Sequence, residues 1–406
     1  MTVYIQTPFD NIPAEGCRAM RYWNMTEAFV AAGHDVVLFI SSFNHGTKAR
    51  RKFDDSFKIE IDSPKFKVYR YSSKVQVVVL NTIHYKSNIS LRRVLSHLLY
   101  ARSFCFTVKT LLSDKVISQP SAVISAVPTL SAALVGINLS RRLGAKSVSD
   151  IQDAWPEAFS RILPKKLKFL SSFIFLPMSL MAKAIYRSSD MLSGVSSAYG
   201  KLTGRNDYYF SRLGISVKAL PEKSDPSSRS ISRLVYVGSL GMGYDLETVI
   251  DALKIDSSLS LDIAGEGERK EAICRYAEKC GVSERVRFHG WLGAEELSSL
   301  ISSCDAGIIP MSDESMVALP NKFFDYLSSS LPVITSLCGE CAEILLGENM
   351  GAVYEEKSAQ SFLRAVESLR LNPPKHVFLS DSLRADKIYP KFVREVEKSL
   401  LENNRR

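Results

Sequence analysis

Short apolar runs alternate with stretches of helical periodicity along most of the 406 residues. Residues 3–6 form an apolar strand, the loop TPFDNIPAEGCR follows, and a helical period over 19–32 stops at Gly33 before the strand GHDVVLFIS. Strand, glycine-bearing loop, helix and strand make one βαβ unit. Residues 57–71 and 75–80 read as edge or connecting strands. The spacing predicts a helix over 85–101 with Asn88 as its cap, because Ser90 and Leu91 open the periodic pattern. A strand at 122–126, a small-residue helix at 131–143, a strand at 146–150 and a final strand at 190–195 complete the first half.

A polar link at 222–233 leads to the strand LVYVGSL, and the alternation resumes. The loop carrying Gly238, Gly241 and Gly243 precedes a helix over 244–253. Strand 259–265, helix 268–280 ended by Gly281, and strands 286–288 and 304–310 follow. Residues 318–345, ALPNKFFDYLSSSLPVITSLCGECAEIL, pack two helix starts around one strand, with Pro320 in the first helical turn and Gly339 turning the chain into the second helix. A strand at 351–354, a helix at 359–369 and a terminal helix over 383–400, broken at Pro390, close the chain. This pattern predicts an α/β protein with two mainly parallel sheets.

Length and an apolar content of 46% suffice for two cores. No long apolar run is free of charges, and MTVYIQTPF lacks a basic-then-apolar presequence, so the expectation is an intracellular chain. Seven cysteines scattered over a chain with ample core suit a reducing compartment. Cys338 and Cys341 have redox-pair spacing, but the rest of the chain reads as a two-domain ligand-binding enzyme. The six histidines show no metal-ligand spacing, and no metal is expected.

Charge divides unevenly. Residues 1–205 hold 28 Lys or Arg against 13 Asp or Glu, and residues 206–406 hold 24 against 30. The first half therefore attracts anionic surfaces or substrates. The run Lys48, Arg50, Arg51, Lys52 reads as a solvated face or a contact for anionic lipid. Residues 163–187, LPKKLKFLSSFIFLPMSLMAKAIYR, interleave lysines with apolar side chains, which suits either a core helix or an amphipathic helix on an anionic leaflet. Nucleic-acid binding is not expected, because the basic residues lack any matching motif.

Several positions bear chemistry. Three glycines at 238–243 expose amides to phosphate. Lys322 and Asp325 project from one helical turn, suited to a phosphate and a hydroxyl pair on one ligand. The second helix start offers the amides of Gly339, Glu340, Cys341, Ala342 and Glu343. Asp153, just past a strand and before Trp155 and Pro156, reads either as an acid that orients or deprotonates a hydroxyl or as a helix cap, and Glu157 has the same two readings.

Residues 318–345 resemble the donor-binding segment of retaining glycosyltransferases of the GT-B fold, family 4. The segment is similar to the P-x-K-x-x-E-Y of a subfamily that includes enzymes adding amino sugars or deoxysugars in capsule, colanic acid and O-antigen synthesis. Residues 153–157 are similar to its D-x-W-P-E segment, and residues 88–92 to its N-x-S-x-R segment. The resemblance implies two Rossmann-like domains facing across a cleft: 1–205 for the acceptor, 206–382 for the nucleotide sugar, and 383–406 crossing back to the first. It implies Asp325 on the ribose, Gly16 near the donor phosphates, where the residues alone also allow an ordinary turn, and Trp291 beside the base, which reads equally as a domain-core aromatic. Asn88, Arg92, Arg93 and Thr129 fall to the acceptor, Arg92 and Arg93 reading either as holders of its diphosphate or as a solvated helix face, and Lys322 falls to the leaving phosphate as negative charge develops.

Two departures stand out. The family's paired glutamates, eight positions apart, are Val317 and Asp325 here, and its Arg-then-Lys pair near the glycine loop is absent. The expected activity is transfer of a hexosyl group from a UDP-sugar to a polyprenyl diphosphate-linked saccharide, by a cytoplasmic enzyme held at the inner face of the plasma membrane. A sugar-nucleotide epimerase and a non-catalytic sugar-nucleotide-binding subunit are the alternatives.

Overall fold

The computed structural model describes residues 1–13, 19–45, 48–85, 90–157, 171–215, 231–311, 319–374, 377 and 380–402. The chain forms two compact units, Met1–Ser216 with Asp381–Arg406, and Val217–Ser380.

The first unit is built on a nine-stranded sheet of order β3-β4-β5-β2-β1-β6-β7-β8-β9. Its strands are β1 (Thr2–Gln6), β2 (Asp35–Ser41), β3 (Lys58–Asp62), β4 (Phe66–Ser72), β5 (Val75–Leu80), β6 (Ala122–Val127), β7 (Lys146–Ile151), β8 (Met191–Gly194) and β9 (Tyr208–Phe210). All but β4 run in one direction; β4 pairs antiparallel with β5 and with β3. The central strands are buried on both faces, as parallel sheets require. One face carries α1 (Arg21–Ala31) and the terminal helix α12 (Ala385–Glu402), whose Tyr389, Phe392, Val393 and Val396 join Tyr22, Trp23 and Phe29 in one core. The other carries α2 (Leu91–Ser113), α3 (Leu130–Leu143) and α4 (Leu176–Ser188), with α3 packed against both neighbours.

A buried ion pair locks α1 to the sheet. Asp150 at the end of β7 accepts from Arg21 Nε at 2.7 Å and Nη2 at 2.8 Å, and also from Tyr22 and Ser193 hydroxyls. Arg21 Nη1 donates to the carbonyls of Ser211 and Arg212. Burial favours a neutral Asp150, but Arg21 and these hydrogen bonds hold its pKa below the usual value. A buried pair of this kind is tolerable because every lone pair finds a donor.

The second unit is a six-stranded, wholly parallel sheet of order β12-β11-β10-β13-β14-β15. Its strands are β10 (Arg233–Val237), β11 (Ser260–Ala264), β12 (Val286–Gly290), β13 (Ala306–Ile309), β14 (Val333–Thr335) and β15 (Gly351–Val353). Its helices are α6 (Leu246–Ile255), α7 (Lys270–Lys279), α8 (Ala294–Ser302), α9 (Asn321–Ser328), α10 (Glu340–Gly347) and α11 (Ala359–Leu371), after α5 (Ser197–Thr203) in the first unit.

The alternation read from the sequence is borne out, with five local corrections. Helix α2 is capped by Ser90, whose hydroxyl accepts from the Arg93 amide, and not by Asn88, which lies outside the described residues. Strand β5 is no edge strand but pairs with β2 inside the sheet. The strand at 191–194 is not the last of its unit, because β9 pairs with it, and this carries the first unit on to Ser216. Helices α5 and α8 were not anticipated. Finally, α12 runs unbroken through Pro390; the apolar burial on both sides of the proline outweighs one lost backbone hydrogen bond.

Candidate functional site

In the second unit the chemistry gathers at the carboxyl ends of β10, β13 and β14. Tyr326 fixes helix α9 there: its hydroxyl accepts from the Val237 amide at 2.9 Å and donates to the Val235 carbonyl at 3.1 Å. The ring lies flat against Gly307, where an added Cβ would come within 2.3 Å of it. One helical turn before Tyr326, Lys322 points inward, only 6% exposed. Its Nζ lies 3.9 Å from the ring centroids of both Tyr236 and Tyr244 and has no hydrogen-bond partner among the described residues. Desolvation drives its pKa well below the ordinary lysine value, opposed by the nearby Asp325 carboxylate. An ammonium in this state is short of a counter-charge.

The glycine loop lies against that ammonium. A Cβ on Gly238, whose φ is +135°, would sit 3.2 Å from Lys322 Nζ. The loop is held from the far side by the turn after β11: the Leu240 amide donates to the Glu266 carbonyl, and a Cβ at Gly265 would fall 1.9 Å from the Gly238 carbonyl oxygen. Gly241 and Gly243 face open space. Gly339, at φ +71°, starts α10, where the Glu343 amide bonds back to the Gly339 carbonyl. The amides ahead of Glu343 are the helix's orphan donors. Because β13 alone separates β10 from β14, the glycine loop and this helix start stand two strand spacings apart, roughly 10 Å. A nucleoside diphosphate spans such a distance.

The remaining predicted positions fare differently. Asp325 is half-buried beside Lys322, and Trp291 is 70% exposed on the loop after β12. Glu343 is exposed. Cys341 is buried with its thiol pushed up to about 12 by that burial, the opposite of the lowered pKa of a reactive Cys-x-x-Cys pair. Among the described residues no group of His, Cys, Asp and Glu is arranged to hold a metal ion.

In the first unit, Gly16 and Asn88 lie outside the described residues. Arg92 and Arg93 part company: Arg92 is exposed, whereas the Arg93 guanidinium sits 4.8 Å over Trp155, 5.6 Å over Phe9 and 5.9 Å over Tyr85. Asp153 faces Arg93 electrostatically: desolvation raises its carboxyl pKa, and the Arg93 charge opposes the rise. Trp155 and Pro156 are joined by a cis peptide bond. Thr129 is fully buried at the start of α3, with its hydroxyl unpartnered among the described residues. Glu157 is half-buried. The basic run is not one solvated face: Arg50 and Lys52 are exposed, but Arg51 is buried and donates to the Ser41 and Asp10 carbonyls at 2.7 Å.

Sequence reasoning missed Tyr236 and Tyr244 as walls of the Lys322 site and His45 and His97 beside Arg93. The glycine pair at 265 and 267 was the available signal for a loop contact, since two close glycines after a strand mark backbone approach.

Against known structures, the whole chain superimposes on sucrose-phosphate synthase (tll1590) from Thermosynechococcus elongatus with a TM-score of 0.65 at 14% identity, covering 100% of this chain and 97% of that one. The chain has the GT-B fold. It is similar also to Anabaena Alr3699/HepE in complex with UDP (TM-score 0.58, 12% identity, 100% and 98% covered). A third similar structure is the lipopolysaccharide outer core galactosyltransferase WaaB in its apo form (TM-score 0.57, 16% identity, 98% and 99% covered). Residues 227–384 match the family model for glycosyl transferases group 1. A comparison with curated proteins finds no match. At these identities the structural likeness establishes fold.

Proposed function

We propose that the protein is a retaining glycosyltransferase that moves a hexosyl group, an amino sugar or deoxysugar, from UDP to a hydroxyl of a lipid-linked saccharide in the synthesis of a surface polysaccharide such as capsule or O-antigen. The observation that carries this reading is the Lys322 ammonium, buried and unpartnered against the Gly238 loop in the very unit that matches the glycosyl transferase family model. A diphosphate supplies the missing counter-charge. The loop amides and the α10 start bind its oxygens, Asp325 accepts from the ribose hydroxyls, and Trp291 covers the base. As the glycosidic bond to the donor breaks, Lys322 and the helix-start amides stabilise the charge on the departing phosphate, which then helps take the acceptor proton. Asp153 and Glu157 orient the acceptor hydroxyl.

Membrane attachment at the inner face of the plasma membrane is part of this reading. Helix α2 exposes Leu91, Val94, Leu95 and Leu98, and the segment entering α4 exposes Phe173, Ile174, Leu176 and Leu180 beside Lys183 and Arg187. Apolar and basic side chains so mixed suit an anionic leaflet. No helix among the described residues is long and apolar enough to cross a membrane.

The test is a mass-resolved transfer assay with a panel of nucleotide sugars and lipid-linked acceptors. A mass gain on the acceptor matched by release of nucleoside diphosphate supports transfer, and conversion of donor to an epimer without acceptor supports the epimerase instead. Asp325→Ala is expected to weaken UDP binding about 10-fold or more by calorimetry, the loss of hydrogen bonds to a charged acceptor. Unchanged UDP titration by that variant removes Asp325 from the ribose.

A further inference from the structure

Three side chains on adjacent strands of the second sheet form a bonded set that no step above employs. Asp262 is fully buried in the middle of β11, in register with Val235 of β10 and Arg287 of β12. Its two bonds run diagonally: Arg233 Nε on β10 donates to Oδ2 at 2.7 Å, and His289 Nε2 on β12 lies 2.6 Å from Oδ1. Desolvation pushes the Asp262 carboxyl up, but the hydrogen bonds from Arg233 and His289 outweigh it and hold its pKa below the ordinary value. An ionised carboxylate only accepts, so Nε2 carries a proton and the imidazole is fixed in one orientation. A buried carboxylate adds little net stability even when paired, so its use among the apolar residues of β11 points to geometry.

The geometry so held is the exit of β12. Phe288 pairs with Ile263 and Gly290 with Ala264, which leaves His289 as the extra residue of a β-bulge. Bulges are rare between parallel strands, gather beside active sites and re-aim the side chains they carry. Gly290 then turns the chain at φ +68°, its carbonyl accepts from the Gly265 amide at 2.7 Å, and a Cβ there would stand 3.0 Å from the Glu266 carboxylate. The same 265–267 turn holds the phosphate loop: the Gly238 amide donates to the Ala264 carbonyl and the Leu240 amide to the Glu266 carbonyl. The bulge thus ties the turn bearing Trp291 into one backbone frame with the glycine loop. We propose that His289 is a positioning residue for the base of the bound nucleotide: anchored on Asp262, it sets the bulge that aims the Gly290–Trp291 turn, so that the turn's backbone meets the edge of the base and the Trp291 ring its face. The inference rests on the reading above for the nucleotide itself. Lys322 and the α10 start grip the phosphates from other strands, so a disturbed bulge is felt at the base end.

The test is calorimetry on the full chain with UDP and with inorganic pyrophosphate, which has no base, for the wild type and two variants. His289→Leu keeps the bulk and removes the donor, whereas His289→Gln returns a donor, because its amide nitrogen reaches the place of Nε2. His289→Leu should weaken UDP binding about 10-fold or more and leave pyrophosphate affinity within about 2-fold, and His289→Gln should recover most of the loss. Hydrogen exchange on the ligand-free proteins reads the same contact without a nucleotide. The Gly265 amide, bonded to the Gly290 carbonyl, should exchange faster in His289→Leu and return toward the wild-type rate in His289→Gln. Unchanged UDP binding in His289→Leu overturns the inference. So does an equal loss of UDP and pyrophosphate, which marks general damage to the unit, or a glutamine variant as weak as the leucine one, which marks packing. Should His289→Leu not fold, His289→Asn, whose donor falls short of Asp262, takes its place. A wild type that binds UDP beside an unaffected leucine variant fails this inference alone. A wild type that binds no UDP fails the reading above, and the Gly265 exchange then decides whether His289 places the turn.

Discussion

Lys322 concentrates the chemistry of the second unit in one side chain. Its folded-state pKa lies below the unfolded value, so between the two the folded chain binds fewer protons and stability rises with pH across that window. Lys322→Met should flatten that slope and stabilise the ligand-free protein by about 1–3 kcal/mol at neutral pH, because a methionine fills the same space without a desolvated ammonium. The variant should lose UDP affinity at the same time. Denaturant melts at several pH values check the first expectation and UDP titration the second. A further sign follows from the same shift: a diphosphate that raises the lysine pKa must draw in a proton on binding. Calorimetry of UDP in buffers of differing ionisation enthalpy should therefore report proton uptake. None of this was legible from the sequence. Lys322 and Asp325 were readable as neighbours on one turn, but the burial of the ammonium depends on Tyr236 and Tyr244, which lie 86 and 78 positions earlier and meet it only in the folded unit.

At the level of elements, the strand and helix pattern was readable wherever one periodicity ran long enough. Strands β1, β2, β6, β10 and β11 emerge as mainly apolar runs because a parallel sheet covered on both faces demands them. Helix α8 escaped because its AEELSSLIS stretch follows a glycine cap and offers only two turns of amphipathic pattern. The cap of α2 was misplaced by two residues because Asn88 and Ser90 are both good caps, and only the folded backbone shows which hydroxyl or amide reaches the N3 position. The lacing of loops around the glycine segment was hidden for another reason: it is made by backbone. Gly265→Ala tests it. With φ at +148° and no room for a Cβ against the Gly238 carbonyl, the substitution must displace the phosphate loop. We expect a loss of about 2–4 kcal/mol in stability, with weakened UDP binding that is not restored by raising Lys322 occupancy through low pH. Gly241→Ala, at an open position, should leave stability within about 1 kcal/mol.

On the scale of the whole molecule, the first unit is assembled from both ends of the chain. Helix α12 lies on α1, and the segment leading into it pairs Ile215 with Arg384, while the Gly214 amide donates to the Tyr389 hydroxyl. Ending the chain before Ala385 strips Tyr389, Phe392, Val393 and Val396 from the core, about 6–12 kcal/mol at 1.5–3 kcal/mol for each large side chain. That rivals the whole stability of a typical domain. Such a truncation should leave residues 1–216 without a cooperative melt by calorimetry, while residues 217–380, which share none of this core, retain theirs.

The same closure fixes an order of events in the making of the protein. A ribosome delivers residues 1–216 before residues 217–380, yet the helix that completes their core leaves the exit tunnel only after both. The second unit, contiguous in the chain, has everything it needs once its own residues emerge, and the first must wait with the faces of α1 and β7 uncovered until residues 385–402 follow. The half that arrives earliest matures latest, and its newborn state is a natural client for chaperones.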